Sequence, residues 1–402
     1  MVSKADAMDA IASYKGEMVS LLSEMVRIPA ISPKSGGDGE GARASFLEEK
    51  LRSWGFSTQR YEYTDESGFK RPSIVSKIGS AERTIWFVGH IDTVAVGDIS
   101  LWKTDPFKPV EKDGRLYGRG VSDDGQSVVG IMFAARVIKE HAIHTKFNFG
   151  IVLAADEEVG SRYGMQKLMD EQIFRQGDMF VVPDSGNSKG SIIEVGEKGL
   201  LWVKIVIEGV QAHASIPAVG KNAFRYMCAF LEEADALLHE KYTKNNPLFQ
   251  PSYSTFEMTK HEKNVDSVNI IPGKETFYID CRVLPEYKLD DILADLRSIA
   301  SSSKFSEVKI SIEPFVREDP APPTDPGCEI VTKLTSAIKE TRGIVPKAVG
   351  IGGGTCAAFA RKRGFDAAVW CTEYDVAHMP NEYVIIDDMV ADAKVFVSLM
   401  MQ

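Results

Sequence analysis

The sequence has few cysteines and no long apolar or basic run. Its five cysteines are scattered, and no Cys-x-x-Cys pair points to a zinc finger or a redox motif. Their odd number fits a reducing compartment better than a disulfide framework. No apolar stretch reaches the roughly 18 residues of a membrane span, and the N-terminal segment carries charges throughout. We therefore expect a cytoplasmic protein without a signal peptide or a membrane partner.

Basic residues are outnumbered by acidic ones. The chain has 47 Lys and Arg against 57 Asp and Glu, a formal net charge of -10. Because no basic patch could follow a phosphate backbone, we expect no nucleic-acid partner. The 402 residues are 44% hydrophobic and 26% charged, as in soluble globular proteins, and their number favours two domains.

Apolar runs alternate with helical patterns in the first half of the chain. Helices are predicted over 9–26, 42–54, 127–140 and 165–170, and strands over 74–77, 84–89, 147–155 and 179–183. Such alternation is typical of an α/β fold with a sheet flanked by helices. The same pattern resumes in the last part of the chain.

The middle of the chain has a different pattern. From residue 198 we predict strands over 201–208, 254–259, 275–283 and 308–313, with helices over 222–238 and 289–301. This β-α-β-β-α-β order is that of a ferredoxin-like α+β unit. The proline-rich segment 317–327 is interpreted as the linker that returns to the first domain. The predicted organisation is a catalytic domain of residues 1–197 and 315–402, with residues 198–314 inserted in it.

Polar clusters at predicted strand ends supply ligands that zinc accepts. They contain His90, Asp123, Glu157 with Glu158, Asp184 and His378. A single histidine or acid pair in such a place is usually a capping or surface residue. Together they provide two histidines and at least three carboxylates, close to what two zinc ions with a shared carboxylate require. The carboxyl ends of strands in open α/β sheets form one crevice, so these residues can converge.

Five segments also carry a resemblance to a known family. They are GHIDTV (89–94), residues 102–106, YGRGVSD (117–123), ADEEVG (155–160) and the cluster around His378. The chain resembles, over essentially its whole length, the acetylornithine deacetylase, succinyl-diaminopimelate desuccinylase, aminoacylase and glutamate carboxypeptidase family of zinc metallopeptidases. The resemblance implies a zinc-peptidase-like catalytic domain with a mixed sheet. It also implies that the inserted unit is a lid through which the chain forms a homodimer.

The resemblance implies roles for the ligand residues. Asp123 would bridge two metal ions, and His90, Glu158, Asp184 and His378 would complete the site. Whether Asp184 shares a metal with His90 and Glu158 with His378, or the reverse, is left open. Two zinc ions per subunit are expected, with cobalt or manganese as alternatives, because histidine and carboxylate sites accept several such ions.

Further residues would act on the substrate or orient a ligand. By resemblance, Asp92 would accept the second imidazole N–H of His90 and fix its tautomer. Glu157, beside the ligand Glu158, would be the general base toward the attacking water. His213 would stabilise the oxyanion, and in dimeric members it comes from the neighbouring subunit.

The resemblance also implies residues that bind substrate. Arg282 matches an arginine that pairs with a substrate carboxylate, for which its planar fork is suited. The remaining substrate contacts would be Asn269, Gly353, Gly354 and Thr355. The expected activity is hydrolysis of the amide bond of a small N-acyl amino acid. A dipeptidase or carboxypeptidase, and a non-catalytic metal-binding protein on the same fold, are the alternatives.

Overall fold

The computed structural model of the chain describes residues 2–402, in which helices and strands alternate. The helices are α1 (Lys4–Ser13), α2 (Lys15–Val26), α3 (Gly41–Ser53), α4 (Gln126–Glu140), α5 (Met165–Leu168), α6 (Ala223–Lys241), α7 (Leu289–Ala300), α8 (Glu329–Arg342), α9 (Ala357–Lys362) and α10 (Ile386–Met400). The strands are β1 (Thr58–Thr64), β2 (Lys70–Ile78), β3 (Thr84–His90), β4 (Val110–Lys112), β5 (Arg115–Tyr117), β6 (Asn148–Ala154), β7 (Met179–Asn187), β8 (Ile192–Glu197), β9 (Gly199–Glu208), β10 (Ala212–His213), β11 (Thr255–His261), β12 (Ile270–Ile271), β13 (Lys274–Val283), β14 (Lys309–Glu318), β15 (Lys347–Ile351), β16 (Asp366–Thr372) and β17 (Tyr383–Ile385). Within residues 2–402, no helix combines the length and the apolar character that crossing a bilayer requires.

The chain divides into two units. The first contains the residues up to Val195 together with Thr324–Val349 and Thr355–Gln402, and the second contains Gly196–Pro323 and Gly350–Gly354. Residues 196–197, 315–323 and 350–354, which the sequence analysis assigns to the catalytic domain, lie in the second unit. The strand predicted to end at residue 313 continues as β14 because Pro314 lies at a register shift, where its missing N–H disturbs no ladder bond.

The first unit is built on an eight-stranded sheet in the order β1-β2-β6-β3-β7-β16-β8-β15. Its central strands β6, β3, β7 and β16 are parallel neighbours, and antiparallel pairs flank them. Every residue of β3 and β6 is buried, as expected for strands that are covered on both faces. Helices α5 and α9 pack on one face, and the Phe396 ring of α10 contacts Phe87 from the other. The predicted α/β fold with a mixed sheet is confirmed.

One predicted helix of this unit is in fact two. Residues 9–26 form parts of α1 and α2, which are separated at Tyr14. The Tyr14 ring packs against Phe133, and its hydroxyl donates to Glu140. These contacts with α4 are tertiary, so no local sequence signal marked the break.

The second unit contains a four-stranded antiparallel sheet in the order β11-β13-β9-β14. Buried and partly exposed residues alternate along β9, and the buried ones pack against α6 and α7. The main elements therefore follow the predicted β-α-β-β-α-β order. A short ribbon of β10 and β12 lies outside this sheet.

Candidate active site

The parallel strands of the first unit bring the predicted ligands to one edge of its sheet. His90 is the last residue of β3, and Asp184 lies near the end of the neighbouring strand β7. Glu157 and Glu158 follow β6, which lies on the other side of β3. Because the carboxyl ends of parallel strands meet at the same edge, these side chains converge there.

The carboxylate of Asp123 contacts both predicted histidine ligands. Its Oδ1 lies 2.8 Å from His90 Nε2, and its Oδ2 lies 3.0 Å from His378 Nε2. His90 Nε2 is also 3.4 Å from Asp184 Oδ1, and His378 Nε2 is 3.0 Å from Glu158 Oε2. Of the two pairings that the sequence left open, these distances favour Asp184 with His90 and Glu158 with His378.

These separations fit the binding of two divalent cations. Two ligands that hold one zinc ion at about 2.0–2.1 Å with tetrahedral geometry lie roughly 3.3 Å apart. Here the imidazole nitrogens and carboxylate oxygens are 2.8 to 3.4 Å apart. The donor set of two imidazoles and three carboxylates suits zinc, and also cobalt or manganese. The residues present therefore fit two metal ions that share Asp123.

His90 is held so that Nε2 faces the other ligands. Its Nδ1 lies 3.1 Å from the backbone oxygen of Asp92. A carbonyl oxygen can only accept a hydrogen bond, so Nδ1 carries a proton and Nε2 is the nitrogen that could bind a metal ion. We had assigned this contact to the Asp92 carboxylate, but that group is 3.7 Å away.

The Asp92 carboxylate has a different contact. Its two oxygens accept the backbone N–H groups of Glu157, at 3.0 Å, and Glu158, at 3.2 Å. The turn after β6 leaves these N–H groups without partners in the strand ladder, so they need an acceptor. Asp92 therefore connects the ends of β3 and β6 and fixes the backbone that carries Glu157.

The negative charge of this site exceeds what its two imidazoles can balance. Burial, followed by the charge of Asp184, raises the pKa of Glu157 well above its ordinary value. Burial opposes the charged form of His90, but Asp184 and Asp123 outweigh it and raise the His90 pKa. Hydrogen bonds to Asp123 and Glu158 raise the pKa of His378 to about 10. Such an excess of negative charge favours the binding of cations.

Glu157 lies close to the ligands on the His90 side. One of its carboxylate oxygens is within 4.8 Å of the ligand atoms of His90 and Asp184. A general base must reach its proton directly or through one water molecule, so the base predicted from the sequence has to lie beside the ligands, as Glu157 does.

A buried ion pair that the sequence reading missed fixes the loop with Asp123. The Glu382 carboxylate is fully buried and accepts hydrogen bonds from Arg119 Nη1 (2.7 Å) and from the backbone N–H groups of Gly120 (3.0 Å), Ser122 (2.9 Å) and Asp123 (3.1 Å). Arg119 Nη2 also donates to the backbone oxygen of His378, at 3.3 Å. The pair thus ties the Asp123 loop to the His378 loop. Both residues lie in the segments that carried the family resemblance, which was the available signal.

A second buried ion pair supports the turn before Glu157. Arg71 is fully buried, with Nε 2.7 Å from Glu40 Oε1 and Nη1 3.0 Å from Asp156 Oδ1. The other Asp156 oxygen accepts the backbone N–H of Tyr163, at 2.8 Å. These contacts fix Asp156, whose φ of 65° begins the turn.

Asp184 lies in a bulge of β7. Val182 pairs with Val369 and Gly186 pairs with Cys371, so three residues of β7 face one residue of β16. A Cβ atom on Gly186 would lie 1.9 Å from the Cys371 oxygen, so only glycine fits there. Bulges turn side chains away from the regular alternation, and this one sets the direction of Asp184.

His213 and Asn269 lie together in the second unit. His213 is exposed on β10. The backbone N–H of the next residue, Ala214, donates to the backbone oxygen of Asn269, at 2.9 Å. The backbone N–H of Ser215 donates to His213 Nδ1, at 3.1 Å. The proton of the neutral imidazole is therefore on Nε2, which can donate a hydrogen bond.

The predicted carboxylate-binding arginine is partly engaged within the second unit. Arg282 Nε and Nη2 donate to Asp280, at 2.7 and 3.1 Å, and Nη1 donates to the Gly352 oxygen, at 2.8 Å. Three of its five N–H groups are used in these bonds, which leaves two for a ligand. Gly353 and Gly354, which follow Gly352, are exposed.

Thr355 belongs to the first unit and is only 6% exposed. Its hydroxyl accepts the backbone N–H of Ala357, the first residue of α9, at 3.2 Å. This bond supports the start of the helix, and the contact of Thr355 with a substrate stays a prediction.

Comparisons with known proteins extend over nearly the whole chain. An uncharacterized metallohydrolase of Methanocaldococcus jannaschii is 37% identical, over 96% of this chain and 98% of its own. A succinyl-diaminopimelate desuccinylase of Parvibaculum lavamentivorans is 28% identical, over 84% and 83% of the two chains.

Solved structures with the same fold include human carnosine dipeptidase 1, with a TM-score of 0.78 and 17% identity over 100% and 98% of the two chains. An M20 family metallo-carboxypeptidase of Sulfolobus solfataricus has a TM-score of 0.77 and 21% identity over 96% and 98%. The sequence model of Peptidase family M20/M25/M40 matches residues 86–402. The predicted family relationship is thus confirmed, and the chain is a metallohydrolase that belongs to peptidase family M20/M25/M40.

Proposed function

We propose that this metallohydrolase cleaves the amide bond of small N-acyl amino acids with two bound divalent cations. The observation that carries the proposal is the position of Asp123, whose two oxygens face His90 and His378. One carboxylate between two ligand sets is the arrangement that a two-metal hydrolase requires. His90 and Asp184 would hold one ion, and His378 and Glu158 the other.

When bound, the two ions would polarise the amide carbonyl and lower the pKa of the attacking water. Glu157 would accept a proton from that water as its oxygen bonds to the carbonyl carbon. Glu157 would then give this proton to the amine nitrogen as the C–N bond breaks.

The second unit would bind and position the substrate. His213 has its proton on Nε2 and could donate to the oxyanion of the tetrahedral intermediate. The two remaining N–H groups of Arg282 suit the carboxylate of an amino acid. Asn269 and the backbone of Gly353 and Gly354 would complete the substrate contacts.

Short peptides are the second candidate substrates. They offer the same amide and the same terminal carboxylate as N-acyl amino acids. A desuccinylase among the sequence relatives supports N-acyl amino acids as substrates. The fold shared with a dipeptidase is the reason to test short peptides as well.

We also propose a homodimer formed through the second unit. Residues 210–224, which include His213, expose Val210, Ile216, Val219 and Phe224. Apolar side chains gathered at a surface often mark an interface between protein chains. The mass of one chain is 44.3 kDa, and light scattering should give twice that mass. A fully active monomer would contradict the dimer and require His213 to act within its own chain.

The direct test is hydrolysis of acetyl- and succinyl-amino acids and of dipeptides by the metal-loaded protein. Chelated protein and the Glu157→Gln variant are the two controls. Release of a free amino acid from the acyl substrates, lost in both controls, is the expected result. Release from dipeptides alone would favour the second candidate. Release that persists in chelated protein would contradict the proposed role of the metals.

A further inference from the structure

The sheet of the second unit has a face opposite to the one that packs against α6 and α7. Every second residue of β9 is buried against these helices, and Trp202, which lies between two of them, is on the other face. Trp202 is paired with Asp280 of β13, and Tyr278 and Arg282 lie two residues on either side of Asp280. Because side chains alternate along a strand, all four lie on the same face. Arg282 therefore shares its face of the sheet with two aromatic residues.

Three aromatic rings form a cleft on this face. The ring of Phe315 lies nearly parallel to that of Trp202, with an angle of 17° and 6.5 Å between the ring centres. It meets the Tyr278 ring edge-on, at 5.4 Å and 74°. The cleft has a volume of about 330 Å³. Cavities that bind small molecules begin at about 300 Å³, so this one suits a single apolar group rather than a long peptide.

A bulge in β14 places Phe315 in the cleft. Pro314 pairs with Val203 and Val316 pairs with Trp202, so Phe315 has no partner of its own on β9. A bulge turns a side chain out of the regular alternation, and here the ring lies over Trp202. Phe315 is nevertheless 59% exposed. An apolar ring held at the surface beside two others is typical of a binding site.

The charged residues that line the cleft already have partners. The Lys260 ammonium lies 4.7 Å from the centre of the Tyr278 ring, which attracts it through its electron-rich face. The Asp280 carboxylate accepts hydrogen bonds from Trp202 Nε1, at 2.8 Å, and from Arg282. What the cleft offers to a ligand is therefore aromatic surface.

The cleft lies directly beside the arginine that we assign to the substrate carboxylate. The same oxygen of Asp280, Oδ2, accepts from Trp202 Nε1 at 2.8 Å and from Arg282 Nη2 at 3.1 Å. In an amino acid, the carboxylate and the side chain are attached to the same carbon atom. A carboxylate on the free N–H groups of Arg282 thus brings its side chain close to the aromatic rings.

We propose that this cleft binds the side chain of the amino acid whose carboxylate pairs with Arg282, so that apolar and above all aromatic amino acids are preferred. Trp202, Tyr278 and Phe315 are then the residues that determine specificity. This inference rests on the proposed function and narrows its substrate class.

Steady-state kinetics of the metal-loaded protein test the inference with two pairs of compounds. N-acetyl-phenylalanine is paired with N-acetyl-alanine, and glycyl-phenylalanine with glycyl-alanine. In the wild type, kcat/KM should favour the phenylalanine compound about tenfold or more, as expected when an apolar side chain leaves water for a pocket. In Phe315→Ala the ratio should fall below about threefold, while the alanine compounds change little. A general loss of structure would lower both members of a pair and leave the ratio unchanged.

Phe69→Ala is the matched control, because it removes a partly exposed phenylalanine of the first unit and should leave the ratio unchanged. Equal rates on both members of a pair in the wild type, or an unchanged ratio in Phe315→Ala, would overturn the inference. N-phenylacetyl-alanine carries the aromatic ring on the acyl side instead. If Phe315→Ala lowers kcat/KM for that compound and not for N-acetyl-phenylalanine, the cleft binds the acyl group and the assignment is wrong. A smaller mass of Phe315→Ala in light scattering would make the cleft an interface between copies of the chain and would also refute it.

Calorimetry separates this inference from the proposed function. If the wild type cleaves none of these compounds, the proposed function fails. Binding of N-acetyl-phenylalanine that is tighter than that of N-acetyl-alanine, with the difference lost in Phe315→Ala, would still support the aromatic cleft. Equal binding of the two compounds would refute it.

Discussion

Substituting Glu382 by Gln tests whether the buried Arg119–Glu382 pair holds the candidate site together. Oε2 accepts from Arg119 and Gly120, and Oε1 accepts from Ser122 and Asp123. In the Gln side chain, an amide nitrogen replaces one of these two oxygens. The two hydrogen bonds that this oxygen accepted are lost, and the amide N–H groups face two donors instead. The buried guanidinium also loses its counter-charge. Breaking such a pair from one side costs about 3–5 kcal/mol, so we expect a loss of that size in the free energy of unfolding.

Urea unfolding in chelator measures this loss without the contribution of metals. The exposed residue Glu82 offers a control, because Glu82→Gln should change the free energy of unfolding by less than about 0.5 kcal/mol. Since the pair joins the loops of Asp123 and His378, Glu382→Gln should also bind fewer metal ions per chain after dialysis against zinc. A stability within about 1 kcal/mol of the wild type, together with full metal content, would refute this reasoning.

Three further predictions follow from the site. Glu157→Gln should lower turnover about 100-fold or more while the metal content measured by mass spectrometry stays unchanged, and full turnover would exclude Glu157 as the base. In chelated protein, the pKa of His378 is raised, so its charged form stabilises the folded state. This contribution to the free energy of unfolding is complete below about pH 6.5 and is lost as the pH rises through about 10. His378→Asn should therefore reduce stability in urea at about pH 6 but not above about pH 10, and an equal loss at both would contradict the charge effect. Gly186→Ala should displace Asp184 and reduce the zinc content, because the new Cβ would lie 1.9 Å from the Cys371 oxygen. Gly36→Ala is the control: nothing lies within 4 Å of a Cβ atom there, so the zinc content should stay unchanged.

The sequence predicted helices and strands best where the residues of the element itself determine its secondary structure. The apolar run before His90 predicted a strand over 84–89, and the structure has β3 there, buried throughout. The strand predicted over 201–208 is likewise present as β9. Predictions were wrong where a distant contact decides the outcome. Tyr14 interrupts a helix to reach α4, and β14 continues past Pro314 because its pairing with β9 resumes after a register shift.

For the candidate site, the sequence by itself determined which residue types follow the strands, and therefore which chemistry is available. It could not determine which atoms meet, because His90 and His378 are brought to the same carboxylate only by the folded sheet and its loops. The contacts of Asp92 with Glu157 and Glu158, and of Glu382 with the Asp123 loop, likewise join segments far apart in the chain. A side chain's type is a local property, whereas its hydrogen-bond partner depends on which backbone groups the tertiary structure leaves without one.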